Sequence, residues 1–218
     1  MGLTFKPMLS DLIQLHSAIT YSPDYDLNSE NFRTFSSIVI NSNSGEEFPI
    51  NEINVDLESL GLKETSLSMP SKTSVGIGIG KLRKWFIGSE YTFVNTSVFK
   101  SDLINIDNTS YEDGSTLSFG GYFIPDYSSF KSVLNRIVYR SGIYFEKTGL
   151  IINDQSIKEF GMTFGVGIPV GNMFSNLNLA LEVGRRGTTD ANLVEEKFAN
   201  FKMSLSLNDR WFIKRKYN

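Results

Sequence analysis

Eight side chains carry most of the chemistry this sequence offers: His16, Glu90, Tyr122, Arg140, Tyr144, Glu146, Glu182 and Lys202. Carboxylates, a phenol and an imidazole are the material of general acid–base catalysis, and the first question is whether their arrangement supports it. A triad needs a nucleophile beside an oriented histidine, and a metal centre needs several ligands at set spacings. His16 is the one histidine, the chain has no cysteine, and no second ligand stands at metal spacing. Catalysis, a metal and a cofactor are therefore not expected. What the eight share is parity. Each falls on the polar side of an alternating segment, so in a closed β-barrel all eight face the lumen. There they either line a ligand path or pair with one another. An unpaired charge in a dry interior costs several kcal/mol, so pairing is expected under both readings.

The remaining motifs are weaker. Gly76-Ile77-Gly78-Ile79-Gly80 lacks the spacing of a dinucleotide fingerprint and has no amphipathic helix after it. It reads as a strand with small lumenal positions. Arg185-Arg186-Gly187-Thr188-Thr189 could bind the anionic sugars of an outer leaflet or form an ordinary solvated loop. Asn95-Thr96-Ser97 and Asn108-Thr109-Ser110 match glycosylation acceptors, a pattern short enough to occur by chance. The net charge of -3 argues against a nucleic-acid partner, which requires a basic face.

The elements that position the eight residues are long alternating strands. Val75, Ile77 and Ile79 alternate with small residues, and Trp85, Ile87, Tyr91 and Phe93 share a parity after the short basic turn Lys81–Lys84. This hairpin puts aromatics on one face and glycine, hydroxyls and a carboxylate on the other, which is the pattern of a strand meeting lipid. The same alternation recurs at Leu12–Tyr21, Leu117–Phe123, Ile137–Glu146, Phe160–Ile168, Leu177–Val183 and Phe201–Leu207. With Gly2–Pro7 it gives about nine strands, most of ten or more residues, enough for a tilted span of a bilayer. Phe32–Ile40 is extended and reads as the preceding strand continued beyond a bend at Pro23 and Asp24, and Val55–Leu60 can form about two helical turns. Connections alternate between short (Met8–Asp11, Lys81–Lys84, Asn172–Ser175) and long (Asn41–Ser68, Lys100–Tyr111, Gly187–Lys197), as periplasmic turns and external loops do. Asp126–Leu134 is longer than its side predicts. The 218 residues, 40% hydrophobic and 13% aromatic, suit one domain, and no window of 18 residues is continuously apolar. Residues 1–218 are expected to form a single β-barrel domain, with 41–68 as a long external loop.

Several blocks, in order, resemble the outer-membrane long-chain fatty acid transporter family, the FadL/TodX type. They are Leu67-Ser68-Met69-Pro70 before Val75-Gly76-Ile77-Gly78; Tyr111-Glu112-Asp113 before Leu117-Ser118-Phe119-Gly120-Gly121-Tyr122; Tyr139-Arg140-Ser141-Gly142-Ile143-Tyr144; and Phe160-Gly161-Met162-Thr163-Phe164-Gly165-Val166-Gly167 followed by Asn178-Leu179-Ala180-Leu181-Glu182. The resemblance implies the carboxyl-terminal part of an antiparallel up-and-down transmembrane β-barrel of roughly fourteen strands, with signal peptide, plug and first strands absent. The family's close on an aromatic end is not matched by Trp211–Asn218. The implied function is a passive channel of the bacterial outer membrane for hydrophobic molecules such as fatty acids, with outer-membrane lipid around it and no enzyme activity. Two alternatives stand beside it: a non-transporting barrel serving as scaffold or partner in a secretion or surface-attachment assembly, and a soluble lipid-binding barrel with its apolar residues inside.

Overall fold

The structure, a computed structural model, describes residues 1–101, 108–170 and 175–206. In chain order the strands are β1 (Gly2–Phe5), β2 (Gln14–Ser22), β3 (Tyr25–Glu30), β4 (Thr34–Ile40), β5 (Glu47–Asn54), β6 (Glu64–Met69), β7 (Lys72–Lys81) and β8 (Trp85–Val94). They continue with β9 (Lys100–Ser101), β10 (Thr109–Tyr111), β11 (Gly114–Phe123), β12 (Val138–Ile152), β13 (Gln155–Val170), β14 (Ser175–Arg186) and β15 (Glu196–Ser206). The main sheet runs β1-β2-β7-β8-β11-β12-β13-β14-β15, every neighbour antiparallel, with β10 added beside β12. Apart from the excursion between β2 and β7, this is an up-and-down meander of nine strands. Among the described residues β1 and β15 do not pair, so the sheet is open.

The turns follow local chemistry. Between β7 and β8 the Lys84 amide donates to the Lys81 carbonyl at 3.0 Å, with Arg83 at positive φ. The β12–β13 hairpin turns on Asn153 and Asp154, both left-handed (φ 49° and 61°), the pair a two-residue hairpin of this twist requires. Residues 171–174, which include most of the short turn expected at Asn172–Ser175, lie outside the described residues. So do 102–107 of the loop expected at Lys100–Tyr111, and Leu207 with the end Trp211–Asn218.

Two expectations are corrected in the excursion after β2. Val55–Leu60 is a tight turn and not helical. Asp56 Oδ1 accepts the amides of Glu58 and Ser59 at 3.1 and 3.2 Å, and Gly61 (φ 67°) ends the turn over buried Leu57. Asp56 thus caps a single turn, which Gly61 and the Leu62 amide, donating to the Leu57 carbonyl at 2.8 Å, close before a second can form. Phe32–Ile40 does not extend the preceding strand: among the described residues β4 pairs only with β5, in a ribbon separate from the β3-β6-β9 sheet.

Almost nothing is packed inside. Leu57, Ile124, Ile137 and Ile157 are the buried hydrophobic residues among those described. The apolar side chains lie instead on one exposed face of the main sheet, with Ile77 at 59%, Phe164 at 52% and Met203 at 70%. A patch of that extent has no place on a monomer in water. Register orders it further. Trp85, Phe123 and Tyr139 form one aromatic row across β8, β11 and β12, and Tyr91, Phe145 and Phe160 contribute to a second across β8, β12 and β13. The rows are separated by the six steps from Trp85 to Tyr91, about 20 Å of strand, and Ile87, Phe119, Ile143, Met162 and Phe164 fill the space between. An apolar band between two aromatic girdles is how a barrel strand meets a bilayer.

Candidate functional site

The opposite face is floored by glycine. Gly78, Gly88, Gly120 and Gly142 lie in register across β7, β8, β11 and β12, continued by His16 on one side and by Thr163 and Glu182 on the other. Without a Cβ, this line is bare backbone midway between the girdles. The neighbouring rows supply bulk that lies down over it. A Cβ at Gly78 would stand 2.4 Å from the Phe86 ring, and one at Gly161 the same distance from Tyr144. Phe86 meets His16 edge-on at 5.3 Å and stacks with Tyr122 at 6.0 Å, forming a wall of three rings. A hollow of about 380 Å³ lies over the floor, lined by His16, Gly76, Gly78, Phe86, Gly88, Glu90 and Gly120 among others.

Beyond the glycines the face turns ionic. Tyr144 Oη lies 2.7 Å from Glu159 Oε1 and 3.0 Å from Glu182 Oε1, so one phenolic proton is shared between two carboxylates. Lys202 Nζ donates to Glu182 Oε2 at 2.9 Å, Asn200 donates to the same oxygen at 3.4 Å, and Arg186 pairs with Glu159. Glu146 stands directly opposite Glu159, a like-charge pair that Arg186, opposite Glu159 on its other side, offsets. Arg140 donates to Asn178 at 3.1 Å, and Glu90 accepts from Thr92 at 3.4 Å. The contacts of Tyr144 with Glu182 and of His16 with Phe86 each reach across an intervening strand.

Of the eight residues singled out by parity, Tyr144, Glu182 and Lys202 join one network, and His16 and Tyr122 join one aromatic wall through Phe86. Glu90, Arg140 and Glu146 form no ion pair with the other seven. The expected mutual pairing is therefore partial, because most partners come from residues parity alone did not single out: Glu159, Arg186, Asn178 and Asn200. Phe86 was legible, since it shares the parity of Gly88 and Glu90. No cluster of three or more His, Cys, Asp or Glu that could hold a metal occurs among the described residues.

Outside the spanning strands, two carboxylates are tuned. The Lys147 ammonium, 2.5 Å from Glu112, holds that carboxyl below its ordinary value. Hydrogen bonds from the Ser59 amide and hydroxyl, then from the Glu58 amide, lower that of Asp56.

No curated protein matches the sequence. Among solved structures the chain is similar to the CymD monoaromatic hydrocarbon channel, at 16% identity and a TM-score of 0.46. The match covers 85% of this chain and 45% of that one, so the chain spans just under half the channel's length. The family model BamG matches residues 1–218. An antiparallel sheet with an apolar band between aromatic girdles is what a protein of the bacterial outer membrane requires, and the chain belongs to the BamG family.

Proposed function

We propose that the polar face lines a passive path for hydrophobic molecules, of the kind the resemblance to the FadL/TodX family implies for long-chain fatty acids. The observation that carries this reading is the glycine floor under the Phe86, His16 and Tyr122 rings. Bare backbone leaves a smooth trough, and aromatic walls give an alkyl chain apolar contact without hydrogen-bond demands. Contacts that lean across a strand suit the hollow side of a curved sheet, so the eight parity residues are proposed as lumen-facing. Residues 1–218 are read as part of one barrel domain, with 41–68 outside the membrane. β2 alone, at nine residues, accounts for a tilted span, which leaves β3 and β4 beyond the hydrocarbon.

The test is uptake of a labelled long-chain fatty acid by cells with and without the complete gene, and with Gly76→Leu. A Cβ at Gly76 meets only ordinary contacts, the nearest at 3.7 Å, so this side chain enters the trough without displacing backbone. Uptake should fall in both the deletion and the variant while the variant's level in the membrane is unchanged. Equal uptake in all three sinks the channel.

A second reading is a scaffold or partner in an assembly of the outer membrane, and the BamG match together with the β4–β5 ribbon favours it. That ribbon exposes Phe35, Ile38, Val39, Ile40, Phe48, Ile50 and Ile53 and, among the described residues, does not pair with the main sheet. Loss of outer-membrane assembly on deletion of residues 34–54, with fatty acid uptake intact, would select this reading over the first.

A further inference from the structure

We propose that the apolar face carries, at its long-loop edge, a binding site for the anionic headgroup of an outer-leaflet lipid, built by Lys147 and Lys158 above Phe145 and Phe160 and by Arg185 and Lys197 level with them. The site rests on the sheet's place in the membrane and on the loop end facing outward; it does not depend on the channel.

The register brings these cations together. Lys147 and Lys158 are direct cross-strand partners, and so are Arg185 and Lys197. Two like-charged pairs on one face, one on β12 and β13 and the other on β14 and β15, two residues apart along the strands, each cost stability unless an anion lies between them. The protein supplies only part of that anion. Glu112 pairs with Lys147 and attracts Lys158 at longer range, Glu195 approaches Arg185 at 3.8 Å, and Asp190 shares the lining of the hollow, whereas Lys158 and Lys197 make no ion pair within 4 Å among the described residues. The Glu146–Glu159 pair on the other face shows what a compensated version looks like, because Arg186 is bonded to it.

The cations are placed for a lipid rather than for a solute. Two residues from Lys147 and Lys158 toward the membrane, Phe145 and Phe160 pack with ring centroids 5.1 Å apart in the girdle, level with Arg185 and Lys197 on β14 and β15, and the apolar band continues below them. A hollow of about 850 Å³ joins the two levels, lined by Lys147, Lys158 and Arg185, by Leu117, Phe145 and Phe160, and by the carboxylates Glu146, Glu159, Asp190 and Glu195, with Lys197 outside its lining. Phosphate in the hollow and acyl chains on the band satisfy both levels at once. Arg185 presents a planar fork suited to phosphate oxygens, and the lysines present point charges.

The test uses the full chain, transferred from detergent micelles that hold bisphosphorylated lipid A or phosphatidylcholine at equal mole fraction, with retained lipid counted by native mass spectrometry. Lipid A should be retained preferentially, and retention should fall as ionic strength rises. Lys158→Gln/Arg185→Gln/Lys197→Gln should lower it at least about tenfold, while Lys81→Gln/Arg83→Gln at the opposite end should leave it unchanged. The triple variant removes like-charge pairs, so it should fold at least as well as the parent. If it does not fold, the salt dependence of the unaltered chain decides. Equal retention of both lipids, retention indifferent to salt, or an unchanged triple variant would overturn the proposal. Displacement of lipid A by millimolar inorganic phosphate would assign the site to a free anion instead and overturn it as well.

Discussion

At Tyr144 one hydroxyl serves two carboxylates, and its loss should be felt more than the loss of the cation beside it. Hydrogen bonds to charged groups are worth about 1.5–3 kcal/mol, so Tyr144→Phe should lower stability by that amount in chemical unfolding from lipid. Lys202, whose side chain is 70% exposed, makes a screened pair, so Lys202→Met should cost under about 1 kcal/mol. The reverse order would show that Lys202, not the phenol, holds Glu182. Glu112 gives a pH dependence outside the membrane. Its carboxyl is lowered in the folded state by Lys147, so the stability it contributes is present above the ordinary carboxylate value of about 4.3 and is lost as pH falls through the lowered value. Exchange protection of the Glu112 amide, which donates to the Gly149 carbonyl at 2.8 Å, should therefore collapse only in strong acid, and Lys147→Gln should move the collapse to higher pH. Parity assigns each of the eight residues to a face of its strand. The partner of Tyr144 or Arg140 was not legible, because it depends on the register between strands, which no single strand encodes.

Strand length and alternation are the element-scale properties that sequence carries well. β7 shows why: exposed Val75, Ile77 and Ile79 alternate with buried Gly78 and Gly80, as their residue types require. Where alternation failed, so did the expectation. Val55–Leu60 has a helical spacing of leucines, but left-handed Gly61 ends it after one turn. The separate β4–β5 ribbon was hidden for a different reason, since extended character says nothing of which strand is the partner. The apolar band makes a direct prediction. Phe164→Arg puts a charge on the lipid side between the girdles and should destabilise by about 2–4 kcal/mol, whereas Thr163→Arg, one residue away on the polar face, should cost clearly less. Equal penalties measured by unfolding in liposomes would deny that the two faces meet different solvents.

For the whole molecule the direction of the edges decides what can close it. Nine strands in antiparallel succession leave β1 and β15 running the same way, so joining them directly would make one parallel pair in an otherwise antiparallel sheet. Closure by antiparallel pairing needs an odd number of further strands, and two copies in the same membrane orientation cannot close each other, because their edges also run alike. In hydrocarbon an unpaired strand edge costs several kcal/mol for each open group, so some segment must cover both edges. Leu3→Cys and Ala199→Cys should accordingly fail to cross-link to each other in the membrane; efficient disulfide formation would show direct closure. The sequence itself reached the nine-strand count, while the sense of the edges emerged only from the pairing order. The most direct test of the central claim, that alternate residues of these strands face lipid and the polar side, uses the absence of native cysteine. Single cysteines from Phe160 to Ile168 of β13 would be spin-labelled in the membrane-embedded chain and compared for collision with oxygen, which favours lipid, and with a water-soluble nickel chelate. Collision with oxygen should peak at Phe160, Met162, Phe164, Val166 and Ile168, and collision with nickel should peak at Gly161, Thr163, Gly165 and Gly167. A profile without a period of two, or one with the two sets exchanged, would contradict it.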